Sequence, residues 1–387
     1  MIHQPLNILQ TCFSPSWGGL ELQALELTKQ LHNRTHRTWI ACPPKSRLAN
    51  ESRLAGVNVL ELNVSGYFHP VVLAKLARFL HDEGVDIIHC HHSKDIATVV
   101  PAVKLSGEHC RIVLTKSMGS RISKKDLFHR YTYGNVDRVF AVSDVIHKNV
   151  LDTTPVAVDR VLTLHYAVDT EMFSLSRVSR DRVRREFGFT DDMLVVGFVG
   201  RFTHGKGYEE FIEAAGMLHQ KFNNIRFLVV GEASYGEQTY EQRIRNMSHS
   251  LKLDGIVKFA GFRKDVPDVM ASFDIFAFPS YAEAFGIVLI EAMAMERPVV
   301  SSNCDGVLDI VVDGVTGLYV NPRSATDLAD ALARLGANPE LMEKMGKAGR
   351  RRVEEFFDQR KQLNKIEEIY YELLELPSHL KPITTAR

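Results

Sequence analysis

Cysteine is scarce and unpatterned in this 387-residue chain: five residues, at 12, 42, 90, 110 and 304, are odd in number and form no Cys-x-x-Cys. A disulfide framework or a cysteine zinc site is therefore not expected. No run reaches the ~20 apolar residues that span a bilayer, and the opening Met1-Ile-His-Gln-Pro-Leu-Asn7 lacks the basic segment and apolar core of a secretion signal. The cytoplasm is the expected compartment. Short-period repeats and low-complexity tracts are missing too. Net charge is zero, with 47 Lys+Arg against 47 Asp+Glu, yet residues 1–170 hold 19 against 15 and 12 of the 16 histidines. This mild basicity suits an anionic acceptor or a membrane surface, and no nucleic-acid partner is expected, because a duplex would call for a stronger bias.

What is present is a 45% apolar, 24% charged composition in a chain longer than one hydrophobic core usually organises. Short β-branched runs alternate with helical patterns, the mark of parallel sheets covered by helices on both faces. The runs predict strands at 7–12, 37–42, 57–62, 86–90, 111–115, 138–142 and 160–164, then, after a polar stretch at 170–193, at 194–200, 225–230, 256–260, 274–278, 298–302 and 317–320. The expectation is an α/β protein with a first domain over 1–170 and a second over 171–360. Residues 361–387 supply a terminal helix that could cross back to the first domain, with a loose tail after Pro377. Apolar residues at helical spacing run over about 354–375.

Two strand-to-helix junctions of the second domain carry chemistry. Gly200-Arg-Phe-Thr-His-Gly-Lys-Gly207 follows an apolar strand and precedes a helical pattern starting at Tyr208. Unpaired amides at a helix start favour anions, Gly205 and Gly207 let backbone come close, and Arg201 and Lys206 bring two cations to one diphosphate. The plainer reading is a glycine-rich turn with solvated basic residues. The spacing is neither the Gly-x-Gly-x-x-Gly dinucleotide fingerprint nor a P-loop. Later, Glu283-Ala-Phe-Gly-Ile-Val-Leu-Ile-Glu291 puts one carboxylate in a loop and another inside the following helix. Glu283 could accept hydrogen bonds from sugar hydroxyls and Glu291 from a ribose, while the amides of Ala284, Phe285, Gly286 and Ile287 sit at the positive helix end. Alone, either glutamate reads equally as a cap or an amphipathic-face residue.

Gly200-Arg201 with Lys206, followed by Glu-x7-Glu, resembles family 4 of the retaining GT-B glycosyltransferases. So do Gly261-Phe262, Phe278-Pro279-Ser280, Ala292-Met293-Ala294 with Pro298-Val299-Val300, and Asp313-Gly-Val-Thr-Gly317. The resemblance covers about residues 7–375. It implies two Rossmann-like doubly wound parallel-sheet domains facing a cleft, with a nucleoside-diphosphate sugar on the second and a saccharide acceptor on the first. It further implies that Arg201 and Lys206 stabilise the leaving diphosphate, that Glu283 faces the donor sugar and Glu291 the ribose, and that Gly261 and Phe262 line the base pocket. No Asp-x-Asp occurs, so no metal and no cofactor are expected.

In the first domain, Pro15-Ser-Trp-Gly18-Gly19-Leu20-Glu21 is similar to the family's N-terminal glycine loop, whose amides approach the donor phosphates. Asp86-Ile-Ile-His89-Cys90-His91-His92 is similar to its Asp-x-x-His-x-His segment, and His91 is taken as the sugar-proximal, catalytic residue there. Strand alternation sends His89 and His91 to one face and His92 to the other, which disfavours zinc. The family commonly places a histidine after the next strand. Here the chain reads Leu114-Thr-Lys116-Ser117-Met-Gly-Ser120, so Lys116 or Ser117 is the candidate for part of that role. A second departure is Leu164-His-Tyr-Ala-Val-Asp169, where the family usually shows Pro-Asn-Gly-Val-Asp. Basic and apolar residues alternate at roughly helical spacing from Arg121 to Tyr133, as in helices that lie on anionic membranes. In the family this region often docks enzymes to the membrane holding a lipid-linked acceptor.

The sequence thus predicts a retaining, metal-independent glycosyltransferase of cell-envelope polysaccharide or lipopolysaccharide synthesis, cytoplasmic or peripheral on the inner face of the membrane. A GT-B nucleotide-sugar epimerase, a non-catalytic nucleotide-sugar-binding partner subunit and, last, a nicotinamide dehydrogenase are the alternatives. Pocket shape, which sequence does not reveal, sets base, sugar and acceptor.

Overall fold

The computed structural model describes residues 4–64, 69–233 and 236–375; the tail after Pro377 lies outside them. The chain forms two compact units, one of residues 1–165 with 361–387 and one of residues 166–360.

The first unit is built on seven parallel strands: β1 (Asn7–Thr11), β2 (Arg37–Cys42), β3 (Asn58–Glu61), β4 (Ile87–Cys90), β5 (Arg111–Lys116), β6 (Arg138–Ala141) and β7 (Val161–Thr163). Their order is β3-β2-β1-β4-β5-β6-β7. Helices cover both faces, so most strand residues are buried, as with Ile87 and Ile88, both fully buried. The order reverses between β1 and β4, where Ile8 registers with Ile87. Ligand crevices of such sheets open at the carboxyl ends of the strands beside that reversal.

The second unit repeats the plan with six parallel strands: β8 (Leu194–Val199), β9 (Ile225–Val230), β10 (Val257–Phe259), β11 (Ile275–Phe278), β12 (Val299–Ser302) and β13 (Gly317–Val320). Their order, β10-β9-β8-β11-β12-β13, reverses between β8 and β11. Phe198, Phe202, Tyr208, Phe211 and Phe227 dominate its core. All thirteen expected strands form, with ends displaced by at most about one residue, within the ordinary scatter of strand boundaries.

The helix Gln359–Glu375 completes the first unit. Leu363, Ile366, Tyr370 and Leu373 repeat at three- and four-residue steps and enter a core with Leu6, Ile8, Leu31, Ile87 and Phe140. At about 1.5–3 kcal/mol per buried large apolar side chain, this face contributes on the order of 8 kcal/mol before conformational entropy.

Two expected helical stretches are shorter than their patterns. The run over 354–375 breaks because Phe357 is buried against Phe285, ring centroids 5.9 Å apart. Asp358 then leaves the helical path, accepting from Thr170 Oγ1 at 2.6 Å and from the Arg360 amide at 3.0 Å. Between Arg121 and Tyr133 only the part within Leu127–Gly134 is helical. Asp126 is extended and its carboxylate takes the Phe128 and His129 amides at 3.0 and 3.1 Å, which starts the helix there. Among the described residues no helix is long and apolar enough to cross a membrane. All five cysteines are buried and free.

Candidate active site

At the strand reversal of the second unit, the loops leaving β8 and β11 lock together. Gly207 starts the helix Tyr208–His219 with φ +80°, and a Cβ there would lie 2.1 Å from the Pro279 carbonyl oxygen, a conformation and a space only glycine accepts. The Tyr281 amide donates to the Gly205 carbonyl at 2.8 Å, and the Tyr208 hydroxyl to the Gly200 carbonyl at 2.7 Å. This frame carries Lys206 to Glu283, where the ammonium donates to a carboxylate oxygen in an ion pair. The Lys206 ammonium also stands 5.9 Å from the Phe278 ring centroid. Arg201 is exposed on the same loop.

The Glu283 loop is held from a third strand. The Gly306 amide, beyond β12, donates to the Glu283 carbonyl at 2.9 Å, and the Glu283 amide donates to Asp305 Oδ2 at 3.3 Å. A Cβ on Gly306 would fall 2.2 Å from the Ala284 oxygen. Nothing in the sequence pattern marked Gly306 or Asp305. Gly286 is the N-cap of the helix Ile287–Ala294. Phe285 is 2% exposed, its ring 5.9 Å edge-on from that of Tyr166, so what it offers a ligand is backbone. Glu291 sits one helical turn further on, half-buried, and burial pushes its carboxyl up to about 7. Among the described residues no cation pairs with it. Beyond β10, Gly261 accepts from the Gly231 amide at 2.9 Å and Phe262 is exposed.

In the first unit Gly18 is extended and caps the helix Gly19–Asn33 without a side-chain hydrogen bond. His89 and His91 do point to one side of β4 and stack with centroids 4.6 Å apart. Both are buried inside the unit. His89 bridges the Tyr370 hydroxyl at 2.6 Å and Thr115 Oγ1 at 2.7 Å, and His91 Nε2 meets Gln10 Oε1 at 2.7 Å. Desolvation holds both imidazoles below their usual range, His91 down to about 3. His91, the expected sugar-proximal residue, is 3% exposed. His92 turns away toward Asp95, 3.3 Å distant. Lys116 ends β5 buried, donating to Ser93 Oγ at 3.3 Å, and Ser117 follows half-buried. Burial foremost, then the charge of Lys124, lowers the Lys116 ammonium to about 8.

Known proteins resemble this chain along nearly its whole length. Residues 179–352 match the family "Glycosyl transferases group 1" and residues 17–172 match "Glycosyltransferase Family 4". The N-acetyl-alpha-D-glucosaminyl L-malate synthase of Bacillus anthracis is 26% identical over 95% of this chain and 97% of its own. The alpha-D-kanosaminyltransferase of Streptomyces kanamyceticus is 31% identical, over 48% of each chain. For that relative and several others the chain spans about half of their length. Among solved structures, a glycosyltransferase from Rickettsia africae ESF-5 superposes with TM-score 0.87 at 22% identity, over 97% of this chain and 100% of that one. HepE of Anabaena, solved with UDP and glucose, gives 0.83 at 22% identity, over 95% and 99%. With one family description on each sheet, a GT-B fold in the structural neighbours and cationic and acidic loops at the second strand reversal, the chain belongs to the family 4, group 1 glycosyltransferases.

Proposed function

We propose that this glycosyltransferase is retaining and metal-independent, and moves a sugar from a nucleoside-diphosphate sugar to a saccharide acceptor in the synthesis of cell-envelope polysaccharide or lipopolysaccharide. The observation that carries the donor assignment is the Lys206–Glu283 pair at the strand reversal of the second unit. It puts a cation and a sugar-hydroxyl acceptor side by side at a helix start, which is what a sugar joined to a diphosphate requires. Arg201 and Lys206 take the charge that builds on the diphosphate, a task otherwise given to a divalent ion. Glu283 orients the sugar, Glu291 accepts from the ribose, the backbone of Ala284 to Ile287 meets sugar and phosphate, and Gly261 and Phe262 border the base. In the reaction the bond from sugar C1 to the β-phosphate oxygen breaks. The acceptor oxygen bonds C1 on the same face, and its proton passes to the departing phosphate oxygen.

The first unit takes the acceptor, with Gly18 and Gly19 reaching the donor phosphates by their amides and Lys116, Ser117 and His91 on the acceptor side. Peripheral membrane binding through residues 118–131 is supported by exposed Met118, Ile122, Leu127 and Tyr131 interspersed with basic residues. Thermal-shift measurement against UDP-, GDP- and ADP-sugars tests the donor assignment, beginning with UDP-glucose because HepE of Anabaena was solved with UDP and glucose. A true donor raises the melting temperature by mass action. No shift at millimolar concentration with any of the three sinks the assignment.

A further inference from the structure

At the β5 end of the first unit the protein buries a charge that it does not balance. Lys116 is 5% exposed, and its ammonium has the Ser93 hydroxyl, 3.3 Å away, as hydrogen-bond partner. The charges it feels are cationic: Lys124, from the loop after β5, repels Lys116, and Lys94, from the loop after β4, repels Lys124. Among the described residues no carboxylate lies within ion-pair distance of these three lysines. The nearby buried acid, Asp95, is engaged elsewhere, accepting from Thr11 Oγ1 and the Phe13 amide at 3.2 Å each and facing His92.

A second buried polar group sits at the same place. Tyr133, from the helix Leu127–Gly134, is 2% exposed and its hydroxyl meets the Ser93 side chain, the same group that Lys116 donates to. An unpaired buried ammonium costs several kcal/mol, so folding alone gives no reason to keep it there. The three lysines grade from buried Lys116 through half-buried Lys124 to exposed Lys94, which marks a route in from solvent. Ser93, Lys94 and Lys116 lie at the carboxyl ends of adjacent strands β4 and β5, the ligand edge of an open parallel sheet, with Lys124 on the loop that follows β5 and Tyr133 meeting Ser93 from the next helix.

We propose that Lys94, Lys116, Lys124, Ser93 and Tyr133 form a subsite for a phosphate group on the acceptor, which makes the acceptor a phosphorylated saccharide. The proposal rests on the reading that the first unit takes the acceptor. A phosphate monoester carries about −1.5 to −2 charge and three strong acceptor oxygens, which matches several point-charge ammoniums and two hydroxyls. A carboxylate, with one charge and a planar pair of oxygens, would leave the cluster overcharged. The phosphate could belong to a soluble sugar phosphate or to a lipid-linked saccharide, and the same lysines would hold either.

Calorimetric titration of the full chain with glucose 6-phosphate, with glucose as the uncharged control, and cosedimentation with phosphatidylcholine vesicles containing phosphatidic acid test it. Variants are Lys116→Gln, Tyr133→Phe and, as donor-site control, Lys206→Gln. The UDP thermal shift is measured on the same samples. Wild type is expected to prefer one phosphate probe over its uncharged control, and Lys116→Gln to weaken that binding about tenfold or more, with Tyr133→Phe weakening it less. Near pH 8 wild-type binding should take up protons, read as a buffer-dependent heat, and Lys116→Gln should not. Loss of glucose 6-phosphate binding marks a soluble acceptor, and loss of vesicle binding alone a lipid-borne one. Retention of both in Lys116→Gln, or their loss in Lys206→Gln instead, overturns the subsite. A retained UDP shift in Lys116→Gln shows the fold intact, and absence of that shift in wild type overturns the donor assignment rather than this one.

Discussion

Lys206 and Glu283, 77 residues apart in sequence, form an ion pair between the loop that leaves β8 and the loop that leaves β11. Each offsets the other's charge while the site is empty, so a diphosphate entering there must compete with Glu283 for the ammonium. The two truncations should therefore differ in sign. Lys206→Ala is expected to weaken UDP binding and to lower kcat about 10²- to 10³-fold, the scale seen when one preorganised charge-stabilising group is removed. Glu283→Gln frees Lys206 and should bind UDP about three- to tenfold more tightly while transferring sugar more slowly. Titration of UDP with parallel turnover measurement checks this, and equal weakening of UDP in both variants would contradict it.

Gly306 is a packing requirement of the same loop. Its φ of −70° is open to any residue, so only space matters. A Cβ would meet the Ala284 carbonyl oxygen at 2.2 Å and the Phe285 Cα at 2.8 Å, backbone atoms that cannot rotate away. Gly306→Ala should cost about 1–3 kcal/mol of stability and displace the Glu283 loop, weakening donor binding about tenfold. Denaturant unfolding and UDP titration read the two effects. A variant with wild-type values in both would show that the loop tolerates the shift.

Much of this architecture is legible in the sequence because parallel strands buried on both faces read as short apolar runs, and the second unit's loops carry glycines and charges in one continuous segment each. What the sequence hides is long-range cover. Alternation puts His89 and His91 on one side of β4, but that Tyr370, 281 residues later, would lie over His89 depends on where the last helix docks. The same holds for Phe357, whose apolar character fits a helix pattern and yet breaks it by packing against Phe285. Lys116 is marked by its place after β5, but Ser93 carries no signal of its own, and only adjacency of β4 and β5 unites the two. Asp126 carries a signal that could have been used: an acid before an apolar run is a common N-cap, and it places the helix start after Lys124 and Lys125.

The shortened helix alters the expected form of membrane contact. Leu127 is 84% exposed at the helix start, Ile122 68% in the loop before it, and Lys125 stands between them. A loop-and-helix tip of this kind inserts a few apolar side chains while basic ones meet anionic headgroups, each basic residue adding about 1 kcal/mol. Ile122→Ser with Leu127→Ser should abolish flotation with phosphatidylglycerol vesicles, and Lys125→Gln should reduce it about fivefold at low salt. Flotation unchanged by both, or absent in wild type, would remove the membrane contact.

Burial of Glu291 couples stability to pH. Desolvation favours its neutral form, so the folded carboxyl titrates near 7 where an unfolded one titrates at 4.5. Between those values the folded state holds more protons than the unfolded state. Its contribution is therefore intact below about pH 4.5 and is lost as pH rises through 7, reaching a cost on the order of 3 kcal/mol. Glu291→Gln removes the titration: the variant should be about 1–3 kcal/mol more stable than wild type near pH 8 and nearly equal to it near pH 4.5. On the proposal that Glu291 accepts from the ribose, the same change removes a charged acceptor, worth roughly 1.5–3 kcal/mol, so UDP should bind about tenfold or more weakly. With 2′,3′-dideoxy-UDP the two proteins should bind alike, since the hydroxyls that Glu291 would accept from are gone. A variant that loses affinity equally for both nucleotides would place Glu291 away from the ribose.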